Sequence, residues 1–86
     1  MNKQKLLAKA LASSKNLRFS EAVALAKAFG YRLSRIKGSH HIFVHPRIKE
    51  LINLQDVVGK AKPYQVRQLL DIVERYNLTL ETGDEP

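Results

Sequence analysis

The hydrophobic positions in the first third of the chain have helical spacing. The lysine-rich first dozen residues carry apolar residues three and four positions apart, which predicts a helical turn or two. A second run predicts a helix over residues 20–29, with Ser20 as its N-cap and Gly30 as its left-handed end. The apolar positions of the two segments are Leu6, Leu7, Ala10, Leu11, Val23, Leu25, Ala26 and Phe29.

The pattern changes to alternation in the middle of the chain, as in a strand with one face in water. Tyr31–Ile36 is predicted as the first strand and Lys37–Ser39 as a turn. The β-branched and aromatic run His41–Val44, which Pro46 ends, completes a hairpin. A third strand is predicted over residues 50–55.

Helical spacing returns in the last third of the chain. Pro63 suits a first helical position because it has no N–H to leave unpaired, and the spacing predicts a helix from Pro63 to Tyr76. The elements predict an α+β fold of helix, three antiparallel strands and helix, with both helices on one face and the other face left for a ligand. The 86 residues suit one domain, predicted over residues 1–80, followed by an acidic flexible tail at 81–86.

The charge adds a preference for a polyanionic partner. The net charge is +7, and no acidic residue lies between Glu21 and Glu50. Nucleic acid is the first candidate, an anionic membrane the second, and an ordinary lysine-rich surface the alternative. No apolar run approaches the roughly 20 residues that cross a bilayer, and the start of the chain lacks a signal-peptide pattern, so no membrane association is expected. The absence of cysteine fits a reducing cytoplasm.

Three histidines, His40, His41 and His45, cluster in the hairpin. Metal-free RNA cleavage needs a base for the 2′-hydroxyl, an acid for the leaving oxygen and cations for the phosphate, and this segment offers all three kinds of group. The alternatives are surface polar residues, packed core residues or adventitious metal ligands. No cofactor and no structural metal site are expected, and phosphate-binding loops, nucleophile elbows and paired carboxylates are missing from the sequence.

The segment from Gly38 to Pro46 resembles the Gly-Ser-His hairpin of HicA toxins. Ala28–Leu33, Leu54–Gln55 and Lys60–Leu69 extend the resemblance, which covers about residues 3–80. It implies a fold like a double-stranded-RNA-binding domain, α-β-β-β-α, and an mRNA interferase that a HicB antitoxin neutralises by covering the active site. The essential histidine of the motif corresponds to His40.

The predicted nucleic-acid contacts surround this histidine. Gly38 is explained by the tight turn alone, whereas Ser39 is either a turn residue or a phosphate ligand. Two lysines flank the N-terminus of the last helix, where exposed N–H groups favour anions. The predicted binding residues are Arg35, Lys37, Gly38, Ser39, Lys60 and Lys62.

Two features complicate the assignment of His40. Many HicA-like proteins carry a further histidine at the third strand, where this chain has Asn53–Asp56. Strict alternation also puts His40 on the same side as the apolar residues Ile42 and Val44. Because alternation is weakest at the corner of a hairpin, His40 is expected there, near the rim of the apolar layer. Partial desolvation there would keep it available as a base. A non-catalytic RNA-binding module of the same fold, and a protein-binding domain with a positive face, remain the alternatives.

Overall fold

The computed structural model describes residues 2–80, so the acidic tail predicted at 81–86 lies outside the described residues. The elements along the chain are α1 (Lys3–Ala12), a 3₁₀ turn (Ser14–Asn16), α2 (Phe19–Ala28), β1 (Arg32–Lys37), β2 (His40–Val44), β3 (Ile52–Val57), β4 (Lys60–Ala61) and α3 (Pro63–Arg75). The four strands form one antiparallel sheet in the order β1-β2-β3-β4.

This architecture confirms the predicted α+β class. The order α2-β1-β2-β3-α3 is consistent with the layout of a double-stranded-RNA-binding domain. The short strand β4 and the 3₁₀ turn were not predicted, because two or three residues are too few to show a hydrophobic period. The N-terminal segment forms a complete helix of 10 residues instead of a turn or two.

The core lies between the sheet and the two helices α2 and α3, which both pack on β3. Phe43, Ile52 and Leu54 face the helices from the sheet, and each is almost fully buried. Leu25 of α2 and Leu69 of α3 meet them from the other side. Burying each of these side chains contributes about 1.5–3 kcal/mol. Helix α1 packs on α2 and on the 3₁₀ turn.

The start of α2 differs from the prediction, because Ser20 lies inside the helix and Arg18 is the N-cap. The backbone N–H of Arg18 donates to the Glu21 carboxylate at 2.9 Å, and Lys9 Nζ on α1 donates to both its oxygens at 2.9 and 3.0 Å. These hydrogen bonds, the one from Arg18 first, lower the pKa of Glu21. A single carboxylate therefore caps α2 and ties α1 to it.

β3 begins two residues later than predicted because Glu50 is engaged elsewhere. Its carboxylate accepts hydrogen bonds from the Tyr76 hydroxyl at 2.6 and 2.8 Å and from Arg75 at 3.4 Å. Its backbone carbonyl accepts the Tyr31 hydroxyl at 3.1 Å. The Tyr76 hydrogen bond lowers the pKa of Glu50 and raises that of Tyr76. The β2–β3 loop is thus fastened to the end of α3.

The two edges of the sheet differ. β4 is flanked by the segment before α2, where the Phe19 N–H donates to the Gly59 carbonyl at 2.9 Å and the Ala61 N–H to the Leu17 carbonyl at 3.1 Å. β1 pairs only with β2, and within residues 2–80 nothing pairs with its outer edge. All six residues of β1 are exposed.

Candidate active site

The tight turn between β1 and β2 sets the position of the histidine cluster. Gly38 has a φ of +62°, in the left-handed region that favours glycine, and a Cβ added there would meet no atom within 4 Å. The backbone angle, and not lack of space, therefore explains the glycine. His40 follows as the first residue of β2, directly opposite Lys37 on β1 and Gln55 on β3.

His40 lies on the sheet face that the helices leave open, which corrects the expectation of a position at the rim of the apolar layer. The buried residue of β2 is Phe43, so the apolar side of this strand is the side of His41 and Phe43. His40 shares the opposite side with Ile42 and Val44, and all three are partly exposed. Alternation along the strand thus places His40 where a large ligand can reach it.

An amide on β3 is the hydrogen-bond partner of the His40 ring. Asn53 Oδ1 lies 3.2 Å from His40 Nδ1. An amide oxygen accepts, so in this arrangement Nδ1 is the donor and Nε2 of a neutral ring carries the lone pair. The contact with Asn53 orients the His40 ring on the open face.

A second amide on β3 connects the turn to α3. Gln55 Nε2 donates to Ser39 Oγ at 3.2 Å. The backbone N–H of Gln55 donates at 2.8 Å to the side-chain oxygen of Gln65, a buried residue in the first turn of α3. Residues 53–55 of β3 therefore contact both Ser39 and His40. Sequence reasoning missed Asn53 and Gln55 as site residues, because only the strand register shows that they share a face with His40.

The predicted cations gather on the same face through a β-bulge. Leu33 pairs with Phe43 and Arg35 with Ile42, so Ser34 is an extra residue without a partner in β2. The bulge moves Arg35 to the open face, next to Lys37. Strict alternation from Leu33 would have turned Arg35 toward the helices.

The lysines that precede α3 are at the same end of the sheet. Lys60 pairs with Val57, which by alternation shares its face with Gln55. Lys62 is the N-cap residue of α3, and its Nζ lies 5.8 Å from the centre of the Tyr64 ring. The Asp56 N–H donates a hydrogen bond to the Ser39 carbonyl at 3.1 Å, which joins the β3–β4 hairpin to the β1–β2 turn.

The other two histidines are separated from His40. The His41 ring packs edge-on against Phe19, with ring centres 4.7 Å apart, on the helix side of β2. His45 is buried, and its Nε2 lies 3.1 Å from the Phe29 carbonyl while its Nδ1 accepts the Arg47 N–H at 3.1 Å. Both nitrogens of His45 are thus committed to the backbone, and His41 lies on the face of β2 opposite to His40.

Metal binding has no visible basis in the described part of the chain. Within residues 2–80, no group of three or more histidine, cysteine, aspartate or glutamate side chains could hold a metal ion. The carboxylates with lowered pKa values, Glu21 and Glu50, lie at the helix junctions described above. The open face instead presents one histidine, two amides and several cations.

A small basic α+β protein with a histidine hairpin on an open sheet face is the class of molecule that these features define. A family model described as the HicA toxin of bacterial toxin-antitoxin systems matches residues 19–74, which run from α2 into α3. The chain belongs to the HicA toxin family, as the hairpin motif predicted, and it is a toxin of a toxin-antitoxin system with a cognate antitoxin.

Comparison with curated proteins gave no match, and neither did comparison with solved structures. None of the helices within residues 2–80 is long and apolar enough to cross a membrane.

Proposed function

We propose that this toxin is a metal-independent mRNA endoribonuclease in which His40 is the general base. The proposal is supported by the position of His40 on the open face. Its Nδ1 is within hydrogen-bond distance of Asn53, and Lys37 lies directly opposite on β1. A HicB-type protein is the antitoxin that we expect to cover this face. The cytoplasm, where mRNA is found, is the expected location.

Each group has a role in the proposed reaction. His40 Nε2 removes the proton from a ribose 2′-hydroxyl, and the 2′-oxygen attacks the adjacent phosphorus. The bond from phosphorus to the 5′-oxygen breaks, which gives a 2′,3′-cyclic phosphate and a 5′-hydroxyl. Lys37 donates a proton to the leaving oxygen, and Arg35 neutralises the charge on the phosphate oxygens.

The remaining binding residues hold the RNA backbone on either side of the reacting phosphate. Ser39 Oγ accepts from Gln55 and can itself donate its hydroxyl hydrogen to a phosphate oxygen. Lys60 and Lys62 contact phosphates near the N-terminus of α3. Gly38 has no side chain for such a contact, and its part is the shape of the turn.

The decisive experiment compares two neighbouring histidines on opposite faces of β2. Purified wild type, His40→Ala and His41→Gln are incubated with RNA in the presence of a chelator, and each is induced in a bacterial host. We expect His40→Ala to cut RNA about 10²–10⁴-fold more slowly, with His41→Gln close to wild type. Growth arrest is expected from the wild type and His41→Gln only.

A third variant tests the assignment of the acid. Lys37→Arg keeps the positive charge but removes the group that can release a proton, since a guanidinium does not deprotonate in proteins. We expect Lys37→Arg to bind RNA as the wild type does and to cut it more slowly. Equal cleavage rates in wild type and Lys37→Arg would contradict the role of Lys37 as the acid and would leave it only the role of neutralising phosphate charge.

One observation favours the second candidate, an RNA-binding module that does not cut. Amides occupy the third-strand positions next to His40 and Ser39, where many HicA-like proteins have a further histidine. Salt-sensitive RNA binding without cleavage, in wild type and His40→Ala alike, would support this second function and contradict the first.

A further inference from the structure

β1 is an exposed edge strand of the sheet. Its outer edge has no partner within residues 2–80, and the main sheet contacts of α2 and α3 are with β3. Leu33 and Ile36 point toward the helix side and are 41% and 56% exposed. An unpaired edge presents a row of backbone N–H and C=O groups to any extended chain that approaches it.

A groove of about 350 Å³ runs between this edge and α2. It is lined by Leu33 and Ile36 of β1, by residues of α2, and by His41 and the buried Phe43 of β2. The lining residues of α2 are Phe19, Ser20, Val23 and Lys27. A strand added to β1 would direct every second side chain into this groove. Edge and groove together have the form that binding proteins use for β-strand addition, in which backbone bonds give affinity and alternate side chains give specificity.

The charges select the kind of strand. Arg32, Arg35 and Lys37 are on β1, and Lys27 lines the groove. The stretch between Glu21 and Glu50 contains no acidic residue, and Glu21 is already bound to Lys9. Pairing with the β1 strand of a second copy would bring like charges together, so the edge disfavours self-association. An extended segment with acidic and apolar residues in alternation meets both requirements.

We propose that the outer edge of β1 binds an extended acidic segment of the cognate antitoxin as an additional strand of the sheet. Its apolar side chains enter the groove beside α2, and its acidic side chains reach Arg35 and Lys37 on the open face. Inhibition follows because these two cations are then no longer available to RNA. This inference rests on the proposed function for its account of inhibition.

The test uses the cognate antitoxin, which we expect to be a HicB-type protein, and two groove variants, Leu33→Glu and Ile36→Glu. Each variant places a carboxylate where an acidic strand must dock. Leu11→Glu is the matched control, since Leu11 is a 66% exposed leucine on α1 that does not line the groove. We expect each groove variant to weaken antitoxin binding at least tenfold, about the loss for one apolar side chain, and Leu11→Glu to bind normally.

A second measurement needs no variant. Hydrogen exchange of the complex should show new protection at the β1 amides that do not bond to β2. Unchanged affinity in both groove variants, or no new protection in β1, would overturn the proposal. So would a loss of RNA affinity in Ile36→Glu, which would make the groove an RNA site, or a free dimer that Ile36→Glu dissociates.

Cleavage of RNA by the groove variants without antitoxin separates this inference from the nuclease proposal. We expect both variants to cut RNA as the wild type does. A wild type that binds the antitoxin through β1 but never cuts RNA would contradict the nuclease and leave the docking surface standing.

Discussion

The two faces of β2 show how one short segment serves two purposes. On the open face, His40 is bound to the Asn53 amide and lies opposite Lys37 and Gln55. On the helix face, Phe43 is fully buried in the core. Two histidines that are adjacent in the sequence, His40 and His41, thus lie on opposite faces of the strand. The comparison predicts that substitutions on the two faces affect different properties.

Phe43→Ala should have the largest effect, and on stability alone. Removing a fully buried phenyl ring costs about 3–5 kcal/mol, a large part of the stability of a domain this small. His40→Ala, on the open face, should cost less than about 1 kcal/mol. Urea unfolding of the two variants measures the contrast. Equal losses would mean that His40 has a structural role that the open face does not suggest.

His45→Ala should come next, with a loss of about 1–3 kcal/mol, because it leaves the buried Phe29 carbonyl without its partner. The RNA cleavage rate per folded molecule should not change. Urea unfolding and the rate measured well below the midpoint provide the two readouts. A lower cleavage rate in His45→Ala without a loss of stability would contradict this prediction and would make His45 a candidate catalytic residue.

The sequence predicted the elements better than their relation to one another. The spacing of Val66, Leu69 and Val73 identified α3 within one residue of its end, since a helix reports its period locally. His40 was recognised from its motif, but its face was misjudged because Ile42 and Val44 made that side look apolar. Which side is buried depends on where α2 and α3 pack, and no local pattern contains that information.

The bulge and the register were also beyond sequence reasoning. Nothing in the run from Arg32 to Lys37 marks Ser34 as an extra residue, although it determines the face of Arg35. Asn53 and Gln55 became site residues only through pairing with β2, a contact between segments more than ten residues apart. Hairpin turns restrict register, but the long β2–β3 loop does not.

Asn53→Asp, on the open face, should lower the rate of RNA cleavage at neutral pH by about tenfold. A carboxylate beside Nδ1 favours the imidazolium, so the limb of the pH–rate profile that reports His40 should move to higher pH. Asn53→Ala should slow cleavage without moving the limb upward. A purely structural Asn53 would lower the rate of both variants equally and leave the pH dependence alone, which distinguishes positioning from folding.

Lys62→Ala should have a smaller effect, confined to RNA binding. Losing one phosphate contact reduces the slope of log affinity against log salt concentration by about 1. Filter binding over a salt series measures the slope. Lys5→Ala on α1 is the charge-matched control and should leave the slope unchanged. Equal changes in both variants would mean that RNA responds to net charge and not to the open face.

Glu21→Gln should have the smallest effect, and it should appear only in stability. The pKa of Glu21 is lowered from 4.5 in the folded chain, so its contribution is present above that value and is lost as the pH falls through the lowered pKa. Because the ion pair with Lys9 is partly exposed, we expect a loss of at most about 1 kcal/mol at neutral pH. Unfolding midpoints of wild type and variant should converge in acid, while cleavage at neutral pH stays equal. A constant gap at every pH would instead assign the loss to packing, because a glutamine cannot titrate and the carboxylate contribution would have to vanish on protonation.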